Sequence, residues 1–174
     1  GRFLSSTALW RKYEKRITQA ADAVVAVVEE MRNRIASLDV DKSKIYVVEN
    51  TLTESNIKKV VGSPNPDFLT LFYSGGINKH RGLQVVITAL PKVIENFPNV
   101  RLWIAGDGSY TNQLKQLASD LAVDNHIDFK GHLPYNEVFN LLMQSDIALI
   151  PHIKSEQTDN SSPNKLYEYM YTNK

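Results

Sequence analysis

The sequence predicts an α/β protein in which a parallel β-sheet has helices on both faces. From Phe68 onward, short runs rich in β-branched and aromatic residues alternate with segments of helical periodicity. This alternation is the order expected of successive strand–helix units. Small or polar residues follow each predicted strand, as they do where a parallel sheet binds a ligand. Earlier in the chain, the unbroken apolar run Ala23–Val28 is typical of a strand buried on both faces.

The residues before Phe68 predict two helices and two strands. Apolar residues recur at helical spacing near residues 7–21, which indicates an amphipathic helix. The predicted strand Ala23–Val28 follows, and a second helix extends from Glu29 to about Leu38. A second strand is expected at Lys44–Glu49. Glycine and proline then cluster between residues 58 and 66, which makes this stretch the best candidate for a linker.

The residues from Phe68 onward predict four further strands, each followed by a helix. The strands are expected at Leu69–Tyr73, Val100–Ala105, Ile127–Phe129 and Ile147–Ile150. The helices are expected at Leu83–Phe97, at Gln113–Leu121, from about Tyr135 through Leu142, and at Asn164–Tyr171. Because the last helix is not followed by the strand that a doubly wound domain would add, we interpret the chain as a piece of a longer protein.

The composition excludes several classes of protein. The chain has 174 residues, of which 43% are hydrophobic and 22% charged, and these values are ordinary for a globular domain. Its net charge of +1 gives no general attraction to nucleic acid or to an anionic membrane. It has no cysteine, which excludes disulfides and thiolate metal sites and is compatible with a reducing, cytoplasmic compartment. The longest apolar run is too short to span a bilayer.

The segment between the last predicted strand and the last predicted helix is polar and rich in turn-forming residues. A loop with small residues that enters a helix N-terminus can bind an anion. Lys165 is then either a phosphate partner or a solvated side chain. Glu168 is either placed favourably in the helix dipole or accepts hydrogen bonds from ribose hydroxyls. An anion site beside a carboxylate predicts a nucleotide or a nucleotide sugar as ligand.

Two glycine-containing loops follow other strands. Gly75 and Gly76 would let a diphosphate approach the backbone, and Arg81 would pair with it. The alternative is a turn with solvated basic side chains, and the spacing matches neither a dinucleotide fingerprint nor a Walker loop. Gly106 could line a nucleotide pocket, but we favour a tight turn in which Asp107 or Ser109 caps the next helix.

Histidines give a weaker pattern. His132 follows a predicted strand, where it could contact a base, although a lone histidine at a strand end is more often incidental. His80 and His152 have no second ligand at metal-binding spacing, so we predict no metal site. We also find no nucleophilic triad and no pair of carboxylates placed for acid/base hydrolysis, so the catalytic residues stay unassigned.

Together these segments resemble the retaining family-4, or group 1, glycosyltransferases of GT-B fold. The segments that match in order and spacing are Phe72–Ile77 with His80–Leu83, Leu102–Tyr110, Phe129–Tyr135, Asp146–Pro151 and Ser162–Met170. The resemblance implies two Rossmann-like domains, each a parallel sheet flanked by helices. Residues 1–52 would end the first, acceptor-side domain, residues 53–67 would form the interdomain crossing, and residues 68–174 would form part of the nucleotide-sugar-binding domain.

The resemblance also implies roles for individual residues. Gly75 and Gly76 would approach the donor phosphates, and Arg81 would stand where the family has a phosphate-binding lysine. Gly131 and His132 would lie beside the base. Glu168 would bind the ribose, and the phosphate and sugar loop would consist of Ser161, Ser162, Pro163, Asn164 and Lys165.

Two positions depart from the family pattern. Many members have an arginine where this chain has Gly76, so one cation is absent. The family's paired-glutamate motif would place its first acid at Asn160, and the nearby Glu156 and Asp159 have the wrong spacing. Both departures weaken the expectation for how the donor sugar is held.

The function implied by the resemblance is transfer of a sugar, with retention of configuration, from a UDP- or GDP-linked donor to a saccharide or lipid-linked acceptor. The family uses no bound metal or other cofactor, because cations and helix amides neutralise the leaving diphosphate. Its habits imply a cytoplasmic protein, with peripheral association at the inner face of a membrane, and no nucleic-acid partner. Two alternatives stay open: a nucleotide-sugar epimerase of the same architecture, and a sugar-nucleotide-binding module without chemistry. The acceptor-facing loops would lie upstream, so this piece alone should be inactive.

Overall fold

The computed structural model describes residues 7–52 and 62–174, which form two compact units. Unit 1 contains the described part of residues 1–51 together with 154–163, and unit 2 the described part of 52–153 together with 164–174. Both units have parallel strands and helices, so the predicted α/β fold is confirmed. The predicted interdomain crossing at residues 53–67 lies in part outside the described residues, and the predicted domain boundaries stay a prediction.

Unit 1 is built on a two-stranded parallel sheet. Helix α1 is Thr7–Ala20, strand β1 is Val24–Ala26, helix α2 is Glu29–Ala36 and strand β2 is Ile45–Val47. Its core consists of Ala26, Ile35, Val40 and Ile45. The expectation that the first strand is buried on both faces is wrong here: Val25 is 61% exposed. Successive strand side chains point to opposite faces, and Ala26 takes the face that is packed.

Unit 2 contains a four-stranded parallel sheet with the order β5-β4-β3-β6. The strands are β3 (Leu69–Ser74), β4 (Val100–Ala105), β5 (Ile127–Gly131) and β6 (Ile147–Ala148). Each predicted strand is present, although β6 is shorter than expected because only Leu71 and Phe72 pair with it. The chain order reverses at β3, which has β4 on one side and β6 on the other. Ligands of open α/β sheets bind beyond the carboxyl ends of the strands at such a reversal.

Helices cover both faces of this sheet. Helices α3 (Leu83–Asn96), α4 (Thr111–Asp120) and α5 (Tyr135–Gln144) follow β3, β4 and β5. In unit 1, the short helix α6 (Glu156–Asp159) was not predicted; Ser155 and Thr158 form a capping box at its start. Helix α7 is Asn164–Tyr171, as predicted. Of the helices in the described residues, none is both long and apolar enough to cross a membrane.

The core of unit 2 has one cluster on each face of the sheet. Tyr73 packs in the cluster that contains residues of α3 and α4, whereas its neighbour Phe72 packs in the cluster with α5 and α7. The alternation of side chains along β3 therefore buries both of its faces. This burial fixes the position of the strand's carboxyl end, where the candidate site lies.

Candidate functional site

A cavity of about 570 Å³ opens at the carboxyl ends of β3, β4 and β5, beside α7. It lies within unit 2, and its walls come from the loops after the three strands and from the first turns of α5 and α7. Seven residues predicted from the sequence line it: Gly75, Gly76, Gly106, His132, Asn164, Lys165 and Glu168. Loops that are far apart in the chain thus meet where the strand-end rule predicts.

Helix α7 is fixed to the end of β3 by a buried tyrosine. The backbone N–H of Ser74 donates to the Tyr169 hydroxyl at 3.1 Å, and the hydroxyls of these two residues lie 3.2 Å apart. The Tyr169 ring also meets Phe72 edge-on. Lys165 is one helical turn before Tyr169 and therefore lies on the same face of α7. The anchor thus directs Lys165 toward the end of β3, a role for Tyr169 that no motif in the sequence indicates.

The ammonium group of Lys165 is buried without a hydrogen-bond partner among the described residues. Its Nζ atom lies 3.9 Å from the centroid of the Tyr73 ring, a cation–π contact. Burial, and after it the charge of Arg81, lower the pKa of Lys165 to about 7 against the opposing charge of Glu168. A buried cation without a partner is costly, so this group is placed to receive an anion.

Two glycines make room for this arrangement. Gly75 has φ +127°, and a Cβ atom there would lie 2.9 Å from Lys165 Nζ. Gly106 has φ +142°, and its Cβ would lie 2.0 Å from the Gly75 carbonyl oxygen. The turns after β3 and β4 therefore touch through backbone atoms, and the Gly75 N–H donates to the Ala105 oxygen at 2.9 Å. This close approach is possible only because neither glycine has a side chain.

The turn after β4 has the tight form expected, but its polar side chains act differently from the prediction. The Asp107 carboxylate accepts hydrogen bonds from the Gly108 N–H at 2.7 Å and from the Thr111 hydroxyl at 2.8 Å. These bonds, that of Thr111 first, lower the pKa of Asp107. Ser109 donates to Asn78 in the loop after β3. The start of α4 has no side-chain cap, so Asp107 and Ser109 stabilise the loops instead.

Glu168 lines the cavity together with Tyr135 of α5, which is not among the site residues predicted from the sequence. Burial, followed by the charge of Glu168 and a side-chain hydrogen bond to it, raises the pKa of Tyr135 to about 12. The hydroxyl of Tyr135 therefore stays protonated and donates to the Glu168 carboxylate. No local pattern could have revealed this pair, because its members belong to different helices.

Arg81 lies in a short 3₁₀ turn, Lys79–Arg81, and is not among the residues that line the cavity. Its Nη1 atom is 3.1 Å from Nε2 of His152, and its buried Nε has no hydrogen-bond partner among the described residues. Because its charge lowers the pKa of Lys165, the two cations are close enough to repel each other. His152 was considered in the sequence only as a metal ligand. Among the described residues, no three metal-binding side chains form a cluster.

The remaining predicted residues are placed less directly. His132 lines the cavity, and its charge contributes to the lowered pKa of Asp107. Gly131 accepts a hydrogen bond from the Gly106 N–H at 2.7 Å and does not itself line the cavity. Ser161, Ser162 and Pro163 belong to unit 1, where the Ser162 oxygen accepts a 2.9 Å hydrogen bond from Asn50. Their role in a phosphate and sugar loop stays a prediction.

Known proteins show similarity over much of the chain. The gpi3 subunit of phosphatidylinositol N-acetylglucosaminyltransferase from Schizosaccharomyces pombe is 22% identical over 121 residues, which are 70% of this chain and 26% of that protein. Phosphatidyl-myo-inositol mannosyltransferase of Mycolicibacterium smegmatis is 30% identical over 95 residues, 55% of this chain and 24% of the relative. The matched segments thus span about a quarter of these relatives.

Solved structures show the same fold. HepE of Anabaena, in its complex with UDP-glucose, superposes with a TM-score of 0.77 at 14% identity, over 100% of this chain and 49% of that one. A family model described as glycosyl transferases group 1 matches residues 54–174. This match includes every loop that forms the cavity and covers well over half of the sequence. The chain therefore belongs to the group 1 glycosyl transferases.

Proposed function

We propose that this chain supplies the donor-binding, C-terminal domain of a retaining family-4 glycosyltransferase. In this proposal the cavity at the carboxyl end of the sheet binds a nucleotide sugar, and the complete protein transfers its sugar to a saccharide or lipid-linked acceptor. Family membership supports the transfer reaction. HepE was crystallised with UDP-glucose, which supports a nucleotide-sugar donor. The names of the two relatives above, both acting on phosphatidylinositol lipids, support a lipid-linked acceptor.

The observation that carries the proposal is the unpartnered ammonium of Lys165 beside the Gly75 turn. Glycine at this position leaves space next to Lys165 Nζ, and Arg81 adds a second positive charge nearby. A cation can be kept buried in this way when an anion completes its environment. A diphosphate fits these requirements, since its charge is spread over several oxygens that can meet both cations.

The chemistry follows from where charge develops. Transfer breaks the bond between the anomeric carbon and the diphosphate oxygen, so negative charge grows on the leaving nucleoside diphosphate. Lys165 and Arg81 would stabilise that charge more strongly in the transition state than in the bound donor, which is the condition for accelerating the reaction. Glu168, held by Tyr135, would accept hydrogen bonds from the ribose hydroxyls and so fix the nucleotide in register.

The proposal is tested on the intact protein by titration calorimetry with UDP, GDP and ADP and with their sugar derivatives. We expect one nucleoside diphosphate to bind clearly more tightly than its parent nucleoside. Absence of binding to all of them would refute the donor site.

The reaction itself is tested with the donor that binds best. We expect slow hydrolysis of this donor without acceptor, and transfer when lipid-linked or free saccharides are added. NMR of the product should show the anomeric configuration of the donor. Conversion of the donor to its epimer without an acceptor would identify an epimerase instead.

A further inference from the structure

The turn that carries Arg81 is joined to the segment after β6 by two hydrogen bonds. The backbone N–H of Ile153 donates to the His80 carbonyl oxygen at 3.1 Å. The Arg81 guanidinium contacts the imidazole of His152, with 3.1 Å between Nη1 and Nε2. The first bond fixes the backbone of the turn, and the second holds the end of the Arg81 side chain. No role has been assigned to His152 in the proposed donor site.

The chemistry of the Arg81–His152 pair fixes the protonation state of the ring. A guanidinium group has only hydrogen-bond donors, so Nε2 of His152 must be the acceptor. A neutral imidazole with an accepting Nε2 carries its proton on Nδ1. The charged groups that act on the ring are Lys165 of α7, Arg81 and His80, all basic. Burial, then the charges of these residues, lower the pKa of His152 to about 4, so the ring stays neutral near pH 7.

A neutral acceptor has a consequence that a carboxylate would not have. An aspartate or glutamate at this position would also orient Arg81, but its charge would neutralise the guanidinium. The imidazole orients the same group and leaves its positive charge uncompensated. The buried, unpartnered Nε of Arg81 is consistent with this, because the group keeps donor capacity that no described residue uses.

We propose that His152 is a positioning residue that holds the Arg81 guanidinium toward the donor diphosphate while leaving its charge available to that anion. This inference rests on the proposed function, since it needs a diphosphate near Arg81. His152 does not touch the donor in this proposal and acts only through Arg81. The interaction therefore links the loop after β3 to the segment after β6. These two strands are neighbours in the sheet.

The binding test measures the affinity of the intact protein for UDP, GDP and ADP by calorimetry. His152→Ala should weaken binding of the preferred diphosphate by about fivefold to tenfold, less than the loss of a direct hydrogen bond to a charged group, because His152 acts only through Arg81. His152→Gln offers a neutral amide oxygen and should restore most of the affinity. His152→Asp should stay weak although it can accept the same bond. The matched control is His80→Ala, which removes a neighbouring imidazole that makes no such bond to a described residue, and it should change affinity less than twofold.

A double-mutant cycle separates positioning from a general structural effect. In an Arg81→Ala background, His152→Ala should cause no further loss of affinity, because the two residues act as a unit. An equal loss in both backgrounds would overturn the proposal. So would full affinity of His152→Asp, since the argument requires a neutral acceptor.

The state of the ring is measured separately, without nucleotide, by NMR of the protein with ¹⁵N-labelled histidine. His152, assigned by the loss of its signals in His152→Gln, should be neutral with the proton on Nδ1 at pH 7 and should stay neutral to below pH 5. A protonated ring or the opposite tautomer at pH 7 would overturn the positioning role even if UDP binds. Failure to bind any nucleoside diphosphate would instead overturn the proposed function, and the role of His152 with it.

Discussion

The two ends of the sheet in unit 2 each have a cavity with basic residues, but these residues are in different states. At the amino ends of β3, β4 and β5 a cavity of about 400 Å³ includes Arg101 and His126. Arg101 donates to the Asn125 oxygen at 2.6 Å and lies 5.0 Å from the centroid of the Phe68 ring. His126 donates from Nδ1 to the Val100 oxygen at 2.9 Å. At the carboxyl ends, the Lys165 ammonium has no hydrogen-bond partner among the described residues.

The difference shows that the volume of a cavity indicates less about function than whether its polar groups have hydrogen-bond partners. At the amino end the basic side chains make hydrogen bonds to backbone oxygens, so the arrangement is stable as it stands. At the carboxyl end the buried Lys165 ammonium carries a desolvation cost that no hydrogen bond from a described residue offsets. Such a cost is retained where a ligand completes the site. This contrast supports the proposal that the carboxyl end of the sheet, and not the amino end, binds the ligand.

The largest expected effect concerns the backbone contact at the carboxyl end. Gly106→Ala should lower the free energy of unfolding by about 3 kcal/mol, because its Cβ would lie 2.0 Å from the Gly75 oxygen and the backbone must shift. Gly131→Ala is the matched control: φ is also positive, at +69°, but nothing lies within 4 Å. It should cost only about 1 kcal/mol of backbone strain. Urea denaturation measures the free energy of unfolding of both variants. Equal losses would show that the close contact between Gly106 and Gly75 does not affect stability.

The second prediction compares one basic residue from each end of the sheet. Lys165→Met should weaken nucleoside diphosphate binding tenfold to a hundredfold, about 1.5–3 kcal/mol, since a charge-assisted hydrogen bond is lost. It should also make the ligand-free protein more stable, because a buried unpartnered charge is removed. Arg101→Met should do the reverse: it should destabilise the fold and leave nucleotide affinity unchanged. Calorimetry measures the affinity of both variants and urea denaturation measures their stability. Similar effects of Lys165→Met and Arg101→Met would contradict the difference between the two ends of the sheet.

A third prediction concerns the nucleoside side of the cavity. Glu168→Gln should weaken binding of the ribonucleotide about tenfold, because an amide offers one accepting oxygen where the carboxylate has two. It should have little effect on the 2′,3′-dideoxy analogue, so the variant loses its preference for ribose. Tyr135→Phe keeps the carboxylate but removes the hydrogen bond to it, and should cost about threefold. Unchanged discrimination between the two nucleotides in Glu168→Gln would exclude a ribose role.

The sequence was sufficient for the features that follow from local patterns. Strand periodicity located β3, β4 and β5, and the rule that strand ends form a binding edge brought Gly75, Gly106 and Glu168 to one cavity. Periodicity could not give the extent of β6, which depends on how many β3 residues pair with it. It could not show that Val25 is exposed either, because an apolar run does not state how many faces are covered.

Contacts between side chains of different elements were beyond the sequence for a different reason. The hydrogen bond from Tyr135 to Glu168 and that from Arg81 to His152 depend on how α5, α7 and two loops pack. No spacing in the chain encodes these distances. The buried state of Lys165 is of the same kind: its residue type suggested a phosphate partner or a solvated side chain, and only the packing against Tyr73 decides against the second.

The smallest expected effect is a pH dependence that also separates the two ends. In the folded protein without ligand, the pKa of Lys165 is about 7, against the ordinary value of 10.5 that applies when the chain is unfolded. An anion stabilises the charged amine, so affinity should be highest at low pH and fall about threefold between pH 6 and 7.5 as Lys165 loses its proton. A nucleotide sugar is the suitable probe, because its diphosphate does not titrate in this range.

The stability of the ligand-free protein should depend on pH in the opposite direction, rising with pH where affinity falls. Between pH 7 and 10.5 the unfolded chain binds a proton at Lys165 that the folded protein has released, and stability therefore rises with pH. Lys165→Met should remove both slopes, whereas Arg101→Met should leave them in place. If affinity instead rose with pH, or if both slopes survived in Lys165→Met, another group would control binding. Opposed slopes that vanish together would show that the protonation of Lys165, which burial opposes, is what the donor favours on binding.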